Sequence, residues 1–183
     1  MERERIGPKI KKLFFNPSID YMKYAEEIDF KNLLNNDLIY LKPVTCDDDL
    51  IYCCFDYQLD DKQKEMVNPP YASIGRAYTN PNCFYPFIVR NNEDKNVGFV
   101  CLNKWLGKGD AFSFSLLIDK RYQNNGYGTS VIKLVIETFK MIDPNKSIKI
   151  AVEQSNKKAQ EFYLSLGFKQ LDELDGDDLV FAL

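Results

Sequence analysis

The sequence predicts one α/β domain built on a mixed sheet, and three observations carry that expectation. Apolar, β-branched and aromatic residues gather into short runs such as FYPFIVR and NVGFVCLNKW, joined by the polar stretch NNEDK as in a hairpin. A longer segment, TSVIKLVIETF, has the apolar spacing of a helix. Strand-like and helical stretches alternate with no internal repeat and no Gly/Ser-rich linker. The 183 residues suffice for one full domain with a substantial core.

In chain order, residues 1–36 stand apart as an N-terminal extension of unassigned role. They carry a basic patch (Lys9, Lys11, Lys12) and a candidate helix in PSIDYMKYAEEIDFKNLL, which Ser18 or Asp20 would cap. The domain proper spans 37–183. DLIYLKPVT reads as its first strand, stopped near Pro43. Thr45 and the cluster Asp47, Asp48, Asp49 suit a helix start leading into LIYCCFDYQL. A second helix is expected over roughly residues 70–78, because proline is accommodated in a first turn. After the hairpin, Phe112 and Phe114 alternate with Ser113 and Ser115, as in a half-buried strand. The turn DKRYQNNGYGTS then opens the long helix, which runs to about Ile142. SIKIAV is a further strand, and NKKAQEFYLSLG is a helix closed by Gly167. FKQLDEL and DLVFAL form a last hairpin around Asp175-Gly176.

Composition removes several classes of function. A net charge of −3 argues against a nucleic-acid binder, which would carry a basic face. The apolar runs are too short to span a bilayer, and the charged start lacks an apolar signal core, so a cytoplasmic protein is expected. The five cysteines form no C-x-x-C pair and suggest reduced thiols rather than disulfides or a metal site. The chain has no histidine, which excludes Ser-His-Asp and Cys-His chemistry and removes the commonest zinc ligand. Proton transfer must fall to carboxylates, tyrosine, lysine, thiols or water.

The glycine turn is open to three readings. A P-loop would need G-x-x-x-x-G-K-[ST], and the lysine is missing. A dinucleotide fingerprint would need a third glycine where Val131 stands. The pattern Q/R-x-x-G-x-G/A is matched by Gln123, Asn124, Asn125, Gly126, Tyr127 and Gly128. There the glycines permit close backbone approach, and the first N–H groups of the helix face an anion. An unliganded left-handed turn would account for the same glycines.

A second block, N-x-x-A-x-x-x-Y-x-x-x-G-F, occurs at Asn156, Ala159, Tyr163, Gly167 and Phe168. Together the two blocks resemble the GNAT superfamily of acetyl-CoA-dependent N-acetyltransferases over residues 37–183. The stretch from MVNPPYASIG to FVCL is similar, more loosely, to the bacterial spermine/spermidine acetyltransferase branch. The resemblance implies a mostly antiparallel sheet of six to seven strands with about four helices, splayed between the fourth and fifth strands. It implies that the amides of Asn124, Asn125, Gly126, Tyr127, Gly128 and Thr129 cradle the coenzyme A pyrophosphate. Gln123 would open the turn, and Ser130 would be a further donor. Leu116, Leu117 and Ile118 would pair with the pantetheine arm, and an N–H near Leu117 would stabilise the oxyanion. Asn156 would contact the coenzyme or cap its helix.

The implied reaction is attack of an amine on a thioester. An alkylamine of pKa near 10.4 is neutral in only about one molecule in 2,500 at pH 7, equivalent to about 4.6 kcal/mol. Glu153 is the preferred carboxylate to collect its proton, and Tyr163 resembles the general acid of the family. Asp56, Asp60, Asp61 and Glu65 fall where acceptor-side helices of the family lie, although ordinary solvated surface would also explain them. The acidic residues of the last hairpin, from Asp172 to Asp178, are open to the same two readings. A small-molecule amine, favoured as a polyamine, is the expected acceptor. Acetylation of a protein or peptide amine, or a non-catalytic acyl-CoA-binding module, are the alternatives. No metal is expected, and a homodimer is compatible with the apolar edges and last hairpin.

Overall fold

Among the described residues, seven strands pair into two antiparallel sheets that touch at one bridge. The computed structural model describes Phe14, Phe15 and residues 29–183. The candidate helix at residues 17–34 lies mostly outside them; only its end appears, as a short turn α1 (Phe30–Leu33). The first sheet has the order β1 (Ile39–Pro43), β2 (Phe84–Asn91), β3 (Asn96–Lys104), β4 (Phe112–Ile118). The second places β7 (Asp178–Ala182) between β5 (Lys149–Val152) and β6 (Lys169–Asp175).

Between β1 and β2 the chain forms α2 (Asp47–Ile51), which loosens into a π-helical turn over Tyr52–Asp56, then α3 (Asp61–Met66) and α4 (Pro70–Thr79). The sequence reading expected two helices here and missed α3, which buries no residue of its own and so carries no apolar stripe. The long helix α5 (Tyr127–Ile142) and the shorter α6 (Lys157–Ser165) follow the sequence expectation. Gly167 ends α6 with φ +93°, a conformation suited to glycine.

Both faces of the first sheet are covered. Tyr85, Phe87 and Val89 of β2 pack with Val131, Val135 and Phe139 of α5. Phe84 and Ile88 turn the other way, toward Tyr52, Cys53 and Ala77. This burial on both faces explains why β2 and β3 read as continuous apolar runs rather than alternating ones. Pro86 is tolerated inside β2 because its backbone faces the end of β1: its carbonyl accepts from Val44 N–H (3.2 Å), just past the last pair, Pro43–Phe87. The N-terminal segment is tied to the same core. Phe14 is buried against Tyr85, and Phe15 stacks on Phe112 while its N–H donates to the Tyr85 hydroxyl (2.6 Å).

The two sheets meet where β4 and β5 run parallel. Phe112 bridges Ile148, and the Phe112 N–H donates to Ser147 O (2.9 Å). Beyond that point the strands part. The splay expected between the fourth and fifth strands is therefore present, and everything that follows depends on it.

Candidate active site

The register of β4 decides which backbone groups the splay leaves open. Asp119 N–H donates to Val97 O (3.0 Å), and Trp105 N–H donates to Ala111 O (2.9 Å), so odd-numbered residues turn their amides to β3. Phe112, by contrast, donates toward β5. Alternation then points the backbone groups of Phe114, Leu116 and Ile118 into the gap. The N–H of Leu117 itself faces β3, so the amides near it that open into the gap are those of Leu116 and Ile118. The Ile118 carbonyl is already occupied by Gln123 Nε2 (2.9 Å), which fastens the glycine turn to the strand end.

Along this edge lies a cleft of about 320 Å³. Leu116, Leu117 and Ile118 form one wall, Asn156, Ala159 and Phe162 another, and the turn with the start of α5 closes the end. Gly126 is the N-cap of α5 in the left-handed region (φ +78°), and Asn124 shares that region (φ +63°). The first helical bond runs from Ser130 N–H to Gly126 O (3.0 Å), so the amides of Tyr127, Gly128 and Thr129 are left without helical acceptors. The two glycines do different things. A Cβ on Gly126 would meet only Leu38, at 3.9 Å, so this glycine is there for its dihedral. A Cβ on Gly128 would stand 3.4 Å from the Phe162 ring and 3.8 Å from Ile118, at the cleft wall.

Of the other residues singled out from sequence, Asn125 lies outside the cleft lining and braces the turn through bonds to the carbonyls of Tyr122 and Gln123 (3.1 and 3.0 Å). Ser130 turns its hydroxyl to Asn36 (2.8 Å). Asn156 caps α6 by accepting from Ala159 N–H (3.2 Å) and also lines the cleft. Sequence reasoning missed Leu59, Gln63 and Val67, which cover the cleft from the α3 side, and Lys158, its one charged lining residue. Buried Asp119 holds that cover in place: it accepts from Gln58 N–H (3.1 Å) and grips Arg121. Burial opposes its charge, but the hydrogen bonds from Arg121 and Gln58 keep its carboxyl below the usual range.

A second cavity, about 210 Å³, opens on the other half of β4, lined by Ser113, Phe114 and Ser115. Ala72, Ser73 and Arg76 of α4 form a facing wall, and Asp175 and Asp178 arrive from the last hairpin. Asp178 is pushed up from the ordinary carboxylate value of 3.8 by burial, then by the charges of Glu153, Asp175 and Asp177. Glu153 lines neither cavity; its Oε2 accepts from Ser155 Oγ and N–H (2.5 and 3.0 Å), which hold its carboxyl low. Asp60 caps α3, Asp56 borders a separate depression beside Tyr52 and Arg121, and Glu65 is exposed, so the structure does not bring these three to the splay. Tyr163 is in the lining of neither cavity; its ring packs 6.2 Å from Phe114, which lines the second, and 5.6 Å from Phe168. Burial pushes its phenol well up.

A helix start with unpaired amides, an open strand edge and a charge-lined cavity along β4 suit a transferase that hands a group from a long anionic donor to a polar acceptor. The pattern of the Acetyltransferase (GNAT) family matches residues 49–168, and the chain belongs to that family. It is 26% identical over 133 residues to an uncharacterised N-acetyltransferase of Methanocaldococcus jannaschii, covering 68% of this chain and 82% of that one. Its fold is similar to that of a proposed ribosomal-protein-serine acetyltransferase from Vibrio cholerae (TM-score 0.63, 20% identity, 82% and 95% of the two chains). It is also similar to Mycobacterium smegmatis RimJ in complex with CoA-disulfide (TM-score 0.60, 17% identity, 79% and 81% covered). The chain is thus an acetyl-CoA-dependent N-acetyltransferase. The residues present fit that cosubstrate: unpaired amides for a pyrophosphate, a bare Gly128 wall, and an unpaired strand edge for amide groups. Among the described residues no helix is long and apolar enough to cross a membrane, and no cluster of side chains could hold a metal ion.

Proposed function

We propose that the enzyme acetylates a small-molecule primary amine, which enters the second cavity and meets the thioester at the Ser115–Leu116 peptide. The observation that carries this is the meeting of the two cavities on β4, one lined by residues 116–118 and the other by residues 113–115. Acetyl-CoA supplies an activated acyl group, and the chain supplies positions and protons. The amides of Tyr127, Gly128 and Thr129 hold the pyrophosphate, aided by the dipole of α5 and by Lys158. Leu116 N–H, aimed into the gap, meets the negative charge that develops on the carbonyl oxygen.

Asp178 takes the amine proton, directly or through water. It lines the acceptor cavity and is a stronger base than an ordinary carboxylate, whereas Ser155 engages Glu153 and weakens it as a base. Tyr163 gives its proton to the thiolate as the C–S bond breaks, and the phenoxide regains one, through water, from the proton that Asp178 took from the amine; burial raises the phenol pKa and so drives that return.

Asp175 and Asp178, two carboxylates with no ion-pair partner among the described residues, would draw a protonated amine, although the polyamine first expected would also meet the guanidinium of Arg76 on the same cavity wall. The cavity is smaller than the roughly 300–1,000 Å³ of drug-sized ligand sites, which favours a small molecule over a folded protein surface. Thiol release from acetyl-CoA across a panel of amines and peptides tests the reading. Turnover on small amines is expected, and turnover on peptides alone would overturn it.

A further inference from the structure

The acceptor cavity carries charge of both signs, on opposite walls. Arg76 comes from α4, where Ala72, Ser73 and Arg76 share one helical face. Its guanidinium stands 5.9 Å above the ring of Phe84, another lining residue, so packing favours that wall. Asp175 and Asp178 flank the turn of the last hairpin. Among the described residues none of the three has a salt-bridge partner, although all line one cavity of about 210 Å³. Elsewhere on the molecule, Lys149 is paired with Glu173, Lys146 with Asp110 and Arg121 with Asp119. Arg76 and Asp175 are exposed and Asp178 half-buried, so a ligand that spans the cavity would displace water from between them and strengthen each contact.

We propose that the acceptor is a primary amine that also carries an anionic group, carboxylate or phosphate, with Arg76 as the residue that selects for it. The proposal rests on the acetyltransferase reading and sharpens its substrate class. The amine lies toward Asp178 and the β4 edge, and the anion lies across the cavity on Arg76. A guanidinium forks onto either anion through two parallel N–H donors, so it recognises both. Arg76 repels a wholly cationic polyamine, and the two carboxylates repel a wholly anionic ligand. Specificity then comes from exclusion as much as from attraction. Asn103, Ser113 and Ser115 supply neutral hydrogen-bonding groups between the charged walls.

The test uses the full chain, acetyl-CoA and three series of primary amines matched in length: ω-amino carboxylates, aminoalkyl phosphates, and the uncharged amides of the first series, with diamines as a fourth arm. The wild type is expected to favour an anionic series over amides and diamines in kcat/KM. The carboxylate and phosphate arms decide between the two anions. Arg76→Ala should reduce the preference for anion over amide by about tenfold or more, the usual size of a lost charge-assisted hydrogen bond. Arg76→Lys should restore part of it, and Arg76→Glu should shift preference toward diamines. A wild type that prefers diamines or amides, or an Arg76→Ala that lowers every arm equally, would overturn the proposal. Calorimetric binding of the best anionic amine to the CoA-bound protein separates the two failures. Arg76-dependent binding without turnover in any arm would refute the reading of this cavity as the acceptor site while keeping Arg76 as its anion-selecting residue, whereas binding that ignores Arg76 would refute the proposal.

Discussion

Along β4, residues 116–118 wall a cleft whose one charged lining side chain is Lys158, while residues 113–115 wall a cavity that carries Arg76, Asp175 and Asp178. The first site is made chiefly of backbone: helix-start amides, a left-handed glycine, a bare α-carbon and an open strand edge. The second is made of side chains from α4, β3, β4 and the last hairpin, which sequence holds more than a hundred residues apart. The contrast suits a donor that is always the same molecule and an acceptor that must be told apart from many. Backbone donors grip a constant phosphate at little entropic cost, whereas side chains set selectivity and can change without disturbing the fold.

Substitutions should separate the two sites. The largest effect is expected from Gly128→Val. Its branched side chain would enter the space in front of Phe162, lowering acetyl-CoA affinity by more than about 100-fold while the domain stays folded. Calorimetry with acetyl-CoA, beside a circular dichroism melt, reads both. Tyr163→Phe should lower kcat by about 100-fold with acetyl-CoA affinity unchanged, since only the proton is lost. Single-turnover kinetics would show the loss in the chemical step.

Asp178→Asn acts on the acceptor side alone and should reduce kcat/KM for the amine about tenfold or more. The sign of its pH effect follows from its raised pKa. The base form appears only above the ordinary value of 3.8, so the acidic limb of the wild-type profile lies above that pH and disappears in the variant. Folding with an ionised Asp178 also costs stability at neutral pH, because the native state binds the proton more tightly than the unfolded chain. That cost sets in as pH rises through the unfolded pKa and is complete above the folded one. Asp178→Asn should therefore melt higher than wild type at pH 7 while turning over more slowly. The smallest functional effect is expected at Gly126→Ala, which costs about 1–2 kcal/mol of stability through its left-handed dihedral, with acetyl-CoA binding largely kept.

The same contrast explains what could be read in advance. The strands, the long helix and the glycine turn were legible because each follows from local pattern: alternation, helical spacing, a glycine where φ is positive; the splay was expected only from the family resemblance. The open edge of β4 was legible in place but not in phase. Which amide near Leu117 faces the gap depends on register with β3, which turns those of Leu116 and Ile118 outward and that of Leu117 inward. The acceptor cavity was hardest to read. Asp178 lay in a run of acidic residues that resembled solvated surface, and no sequence spacing ties it to Arg76 or Asn103. Glu153 was plausible by position, but its bonds to Ser155 appear only in three dimensions.

The most direct test of the whole arrangement is a crystal structure of the enzyme with intact acetyl-CoA. The pyrophosphate should sit on the amides of Tyr127, Gly128 and Thr129, with the thioester carbonyl oxygen about 2.7–3.1 Å from the Leu116 N–H and the acetyl group facing Asp178. An acetyl group placed away from the Ser115–Leu116 peptide, with its oxygen on another donor, would contradict the account.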